Sequence, residues 1–153
     1  MFNIVLVNPE IPPNTGNISR TCAVTGTRLH LIRPLGFEIN DKTLKRAGLD
    51  YWKDLGVSYY DSFEELEAKY SDGRFFLTST HAVRSYADVE YRDGDFLVFG
   101  RETAGLGPEL LTRRARDAIR IPMRHDQRSL NLSNSAAIVL YEALRQTGFQ
   151  GLE

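Results

Sequence analysis

RSLNLSNSAAIVLYEAL, Arg128 to Leu144, changes character halfway along. Its first half sets two asparagines and three serines among leucines, and from Ala136 the run is nearly all apolar with helical character. Such a run predicts a buried last helix over SNSAAIVLYEALRQTG. Buried amides and hydroxyls are costly unless each finds a partner. The join therefore predicts that the fold supplies every partner, or that a ligand supplies some of them.

Working back from that helix, AIRIPM reads as the last strand, and PELLTRRAR as a helix with Pro108 in its first turn. DFLVFG and RFFLTST are the clearest strands before it. SFEELEAKY is a helix whose Ser62 and Glu65 carry a capping-box signature, and VSYYD is a short strand. NDKTLKRAGL reads as a helix and RLHLIR as a strand. NTGNISRTCAVTG reads as a helix closed by Gly26. FNIVLVN is a continuous apolar run of the kind that forms a buried parallel strand. This alternation predicts an α/β fold, a mostly parallel sheet flanked by helices. With no repeat, low-complexity segment or linker, residues 1–153 read as one domain.

A chain of 153 residues can bury a proper core without disulfides or metals, and 42% apolar with 25% charged residues is ordinary for a globular protein. Cys22 is the single cysteine, so no internal disulfide is possible. MFNIVLVNPEIPP lacks a basic n-region and meets proline early, and no apolar run approaches the roughly 20 residues of a membrane span. The expected compartment is a reducing cytoplasm. Net charge is −1, which gives no global sign of nucleic acid. The distribution says more: of 19 basic residues 15 are arginine, and seven of those lie between Arg101 and Arg128. Arginine suits bidentate phosphate contacts. A solvated face is the plain alternative.

Ligands of open α/β sheets gather outside the carboxyl ends of the strands. Three loops follow predicted strands: PEIPPNTGNISR, GRETAGLGPE and PMRHDQRSLNLSN. Converging on one crevice, they would make a pocket. The glycines at 100, 105 and 107 do not form a P-loop, because no lysine follows, and the first loop lacks a dinucleotide fingerprint. His30, His81 and His125 are isolated, so no metal site is expected. His30 reads as a packed or partly exposed strand residue and Cys22 as a small core residue. No G-x-S-x-G elbow supports serine hydrolysis.

Taken in order, the three loops are far more specific than any one alone. N-x-G-x-x-x-R at Asn14, Gly16 and Arg20 is followed by FGRETAGLG and then by IPMRHDQRSLNLSNSAAIVLYEAL. This wording resembles the SPOUT class of RNA methyltransferases over essentially the whole chain. It is most similar to the small tRNA wobble-position 2′-O-methyltransferases of the TrmL or YibK type, whose phrasing PEIPPNTGNISR, RAGLDYW and RSLNLSN follow. Two local departures stand at the rim of the glycine loop. Ala104 occupies a place where such proteins usually carry a basic or polar residue, and Pro108 lies one position later than is common.

The resemblance implies a C-terminal deep trefoil knot, a feature otherwise nearly absent from proteins, and a homodimer packed in part through the last helix, with Tyr141 at the contact. It implies S-adenosylmethionine as methyl donor, bound by Thr78, Gly100, Glu102, Ile121, Ser129 and Leu130. Ordinary strand core is the alternative for Ile121, and Glu102 would pair with a basic group or fix the glycine turn. Ser129, Asn131, Ser133 and Asn134 would satisfy one another, the knot backbone and the cofactor. Arg20, Asn14 and Asn131 would form the catalytic set, with Arg20 beside the acceptor ribose. The implied partner is a tRNA anticodon stem-loop, methylated on the ribose of its wobble cytidine or modified uridine, with leucine tRNAs as the expected substrates. Arg101, Arg124 and Arg128 would serve as phosphate contacts. Alternatives within reach are another tRNA position, ribosomal RNA, or a non-catalytic RNA-binding protein.

Overall fold

A computed structural model describes residues 1–39, 42 and 52–153. The helix predicted over NDKTLKRAGL, Lys42 apart, and most of RAGLDYW lie outside the described residues. Six strands form one sheet: β1 (Asn3–Val7), β2 (Arg28–Ile32), β3 (Ser58–Tyr60), β4 (Phe75–Thr78), β5 (Phe96–Phe99) and β6 (Ala118–Ile119). Their spatial order is β3-β2-β1-β5-β4-β6, and every pairing is parallel. The helices are α1 (Pro12–Thr25), α2 (Trp52–Leu55), α3 (Phe63–Lys69), α4 (Pro108–Arg113) and α5 (Leu132–Gln146). Among the described residues, 3₁₀ turns lie at Tyr86–Asp88 and Ala115–Asp117.

β1 is apolar from Ile4 to Val7 because it lies mid-sheet with both faces covered. Ile4 and Leu6 point into a cluster shared with Ile18 and Cys22 of α1 and with Ala136, Val139 and Leu140 of α5. Val5 points the other way, into a cluster with Phe63 and Leu66 of α3, Leu77 and Val98. Successive strand side chains face opposite sides, so a strand between two layers is apolar on both faces except where a polar side chain finds partners, as Asn3 and His30 do. Each fully buried aliphatic side chain contributes roughly 1.5–3 kcal/mol. Cys22 is buried, and burial pushes its thiol pKa up, as befits a core residue.

α1 starts with two prolines, at positions that need no N–H partner. It ends at Gly26, whose φ of 69° is the left-handed conformation that glycine adopts at no steric cost. Ser62 caps α3 as predicted, accepting from the Glu65 amide at 3.1 Å, and Glu65 returns its carboxylate to the Asp61 amide at 2.7 Å.

The last strand is shorter than AIRIPM predicted. β6 pairs with β4 only through Ala118 and Ile119, and Arg120 instead bridges Ser85 in the chain that returns after β4. Pro122 offers no N–H and biases the residue before it. Ile121 is thereby released from the sheet and only half-buried.

His30 resolves to the buried of its two readings, at 1% exposure. Its Nε2 lies 3.0 Å from Asn3 Oδ1 and its Nδ1 3.1 Å from the Tyr60 hydroxyl. Because Asn3 Nδ2 donates to the Gly94 carbonyl, Oδ1 faces the ring and His30 donates from Nε2. The neutral ring is favoured: burial first, then the Arg28 and Lys69 charges, lowers the His30 pKa to about 4.

Candidate active site

A cavity of about 930 Å³ opens at the carboxyl ends of β4 and β5 and beside the segment that leaves β6. All three loops singled out from sequence contribute to it. Thr78, Gly100, Glu102, Ile121, Ser129 and Leu130 line it together with Asn14 and Asn131. Nine residues were predicted as site residues, and these eight share one space. Arg20 does not line the cavity. It lies on the exposed side of α1, on the helix that also carries Asn14.

The loops are joined by a continuous hydrogen-bond chain. One Glu102 oxygen accepts from the Glu10 amide at 2.9 Å, and the other from the Ile11 amide at 3.1 Å and Asn14 Nδ2 at 3.4 Å. Asn14 Oδ1 accepts from Asn131 Nδ2 at 3.0 Å, across 117 residues of sequence. Asn131 Oδ1 in turn caps α5, accepting from the Asn134 amide at 3.1 Å and the Ser133 hydroxyl at 2.6 Å. Each amide group thus has its orientation set by the next. Glu102 spends its carboxylate on the first loop, where sequence suggested a basic partner or the glycine turn. A reciprocal contact closes the clasp, the Thr103 hydroxyl donating to Glu10 Oε1 at 2.7 Å.

The polar run that opened the sequence reading sits differently from its premise. Residues 128–131 are exposed at the cavity mouth, and burial begins with Leu132, Ser135 and Ala136. The asparagines and serines therefore serve the cap and the cavity more than a dry core. Asn131 and Ser133 satisfy one another as expected, while Asn134 joins the cap through its backbone amide.

Two observations bear on what the cavity holds. A Cβ at Gly100 would fall within the Gly105–Leu106 peptide, so the loop can fold back over β5 only without a side chain there. The Thr78 hydroxyl is buried with no hydrogen-bond partner among the described residues, in a residue that lines a cavity of ligand size. Unpaired buried hydroxyls are uncommon. Apolar Leu106, Ile121 and Leu130 beside backbone and hydroxyl groups suit a flat heteroaromatic ring with polar appendages. S-Adenosylmethionine fits this donor set.

Sequence reasoning missed several lining residues. Ser79, Thr80 and His81 follow β4 directly; the carboxyl-end rule applied to RFFLTST would have reached them. Met123 lies inside the third loop but was not singled out there, and Ser135 carried no signal, because its approach to the cavity depends on the path of the chain after β6. The arginine cluster divides in two. Arg113 and Arg114 both grip Glu67, at 2.5–2.8 Å, and Arg114 also holds Asp117 at 2.8 Å. Arg113 first, then burial and Arg114, sets the Glu67 pKa, with a net shift below the usual carboxylate range. These two cations are thereby committed within the protein.

The model of the SpoU rRNA methylase family matches residues 1–141. The chain belongs to that family. It is a methyltransferase by that membership, and its relatives narrow the likeness further. It is 51% identical over 152 residues to a tRNA (cytidine(34)-2′-O)-methyltransferase of Saccharophagus degradans, covering 99% of both chains. A solved structure concerned with the 2-OH methylation of C/U34 on tRNA superposes with a TM-score of 0.91 at 45% identity, covering 97% of both chains. The SpoU methyltransferase AviRb of Streptomyces viridochromogenes, solved with AdoMet, superposes with a TM-score of 0.83 at 26% identity. That match covers 95% of this chain and 57% of AviRb.

Proposed function

We propose that the chain is a single SPOUT domain that transfers a methyl group from S-adenosylmethionine to the ribose 2′-hydroxyl of a tRNA wobble nucleotide. A cytidine or modified uridine, in leucine tRNAs first, is the expected acceptor. The observation that carries this reading is the joined site. Asn14, Glu102 and Asn131 tie three loops around one cavity in a chain about half identical, end to end, to a protein named for that reaction. A deep trefoil knot is the matching topology. Supporting it, β6 lies outside β4 while the chain beyond it returns to Asn14 and packs α5 against α1. A homodimer suits the exposed apolar residues on those helices: Val24 on α1, and Ile138 and Tyr141 on α5. A tRNA substrate places the enzyme in the cytoplasm.

In this reading Thr78, Gly100, Ile121, Ser129 and Leu130 hold the methyl donor, which supplies an activated sulfonium methyl when bound. Glu102 acts on the cavity wall by holding the first loop. Asn14 and Asn131 form the floor on which the ribose is aligned, each amide fixed by its neighbour. Alignment is where most of the protein's contribution to such a transfer lies. Arg20 is a poor proton acceptor, since arginine titrates above about 12. Its role is to hold an RNA phosphate and orient the neighbouring 2′-hydroxyl, whose proton leaves to that phosphate or to water.

The test is transfer of labelled methyl to total tRNA from a strain lacking this activity, beside Arg20→Ala. Label recovered as a 2′-O-methyl wobble nucleotide, and reduced at least 100-fold in the variant, is the expected result. Label at another tRNA position or in ribosomal RNA would replace the acceptor assignment. Cofactor binding without transfer to any RNA would refute the enzymatic reading of the acceptor site.

A further inference from the structure

Resting on the RNA-methyltransferase reading, we infer that Arg84, Arg116 and Arg120 form a second phosphate-binding patch beyond the cavity, which takes the RNA strand flanking the methylated nucleotide.

Seven arginines between positions 101 and 128 look equivalent in sequence, and the fold separates them. Arg113 and Arg114 are neutralised by Glu67 and Asp117. Arg116 and Arg120, a few residues on, have no carboxylate within salt-bridge distance among the described residues, and neither has Arg84. The nearest acid in sequence, Asp117, is held by Arg114 at 2.8 Å.

These three cations are also built into one place. Arg84 Nη2 donates to the Arg116 carbonyl at 2.9 Å. The Arg120 amide donates to the Arg84 carbonyl at 2.8 Å, and the Tyr86 amide to the Arg120 carbonyl at 2.8 Å. The chain returning after β4 is thereby fastened to the free edge of β6, bringing together arginines more than thirty residues apart in sequence. Only one guanidinium N–H of Arg84 is used in this, which leaves most of its donor fork for an outside acceptor.

Position then selects the partner. Ser79 to His81, just before Arg84, and Ile121 and Met123, just after Arg120, line the cavity. From Arg116 the chain carries arginine at every fourth residue, through Arg120 and through Arg124, which pairs with Asp126 at 3.4 Å, to Arg128, which lines the cavity mouth. A row of cations leading into a nucleotide-sized pocket fits a polyanion with regularly spaced charge. Arg84 and Arg116 are exposed and Arg120 half-buried, and guanidinium groups with no carboxylate at ion-pair distance among the described residues suit phosphate better than a mixed protein surface.

The experiment measures binding of an anticodon stem-loop RNA across a range of salt, with S-adenosylmethionine binding and methyl transfer followed in parallel. Arg84→Gln, Arg116→Gln, Arg120→Gln and the triple variant are compared with Arg33→Gln at the opposite edge of the sheet. Each lost phosphate contact lowers the slope of log K against log salt by about 0.7 for a single strand. The triple variant is expected to lose about 2 from the slope and at least tenfold in RNA affinity, with cofactor affinity and melting temperature unchanged. An unaltered slope in the triple variant, or an equal loss in Arg33→Gln, overturns the patch even if the wild type methylates the wobble ribose. A reduced slope with no methyl transfer by the wild type keeps the patch and removes the functional reading instead.

Discussion

Glu102→Gln tests whether the clasp between the loops aligns the reacting groups. Glutamine keeps the shape but replaces one carboxylate oxygen by an NH₂. Either the Glu10 amide, now 2.9 Å away, or the Ile11 amide and Asn14 Nδ2, at 3.1 and 3.4 Å, then meets a donor instead of an acceptor. A hydrogen bond to a charged group contributes about 1.5–3 kcal/mol. Here the Glu10 and Asn14 contacts are part-buried and the Ile11 contact exposed, so water can replace some of the loss and the lower end applies, about 1.5–2 kcal/mol. Asn14 then loses the contact that orients its amide toward Asn131. Expressed wholly at the transition state, this corresponds to a fall of about 10–30-fold in kcat/KM. Single-turnover methyl transfer would measure that fall, and calorimetric titration would show cofactor affinity changed less than threefold. Asn14→Ala combined with Glu102→Gln is expected to be little worse than the poorer single variant, since both break one chain. If cofactor affinity drops as far as kcat/KM, Glu102 is a direct cofactor contact and the positioning argument is wrong. Additive losses in the double variant would refute it equally.

Three further outcomes follow from local geometry. Gly100→Ala places a methyl within the Gly105–Leu106 peptide; cofactor affinity should fall at least tenfold and the melting temperature should drop, and a variant with wild-type binding would sink the close-crossing account. His30 titrates near 4 when folded and near 6.5 when unfolded, so below pH 6.5 the unfolded chain takes up the proton first and stability falls with pH. The loss reaches about 2 kcal/mol by pH 5, and urea unfolding at pH 7.5 and 5 should show it in the wild type and not in His30→Gln; equal losses in both proteins would count against it. Glu67→Gln removes the carboxylate shared by Arg113 and Arg114, leaving Asp117 on Arg114 and Glu64 near Arg113, and should cost about 1–3 kcal/mol of stability while leaving methyl transfer at the wild-type rate, whereas a fall in rate would mean that this cluster also serves the site.

Much of the fold could be read locally. A two-sided apolar run such as FNIVLVN is buried wherever it sits, and Gly26, Ser62 and Pro108 mark helix ends because capping depends only on neighbouring backbone. The three polar loops could be recognised by their place after apolar strands, and the family likeness then attached roles to their residues. Periodicity could not place the end of β6, because Arg120 leaves the sheet to pair with Ser85, a partner 35 residues away.

Tertiary structure alone separated the arginines and joined the site. Arg113 and Arg116 belong to one basic stretch, yet Glu67 lies against the first and, among the described residues, no carboxylate lies within ion-pair distance of the second. Glu102 reads as an acid in a glycine turn until β1 and β5, neighbours in the sheet, bring their carboxyl-end loops together and turn it onto the amides of Glu10 and Ile11. Composition and spacing act over a few residues, through backbone sterics and the burial of one face. Which distant charge or amide completes a group is set by strand order, and the 117 residues between Asn14 and Asn131 carry no local sign that the two will meet.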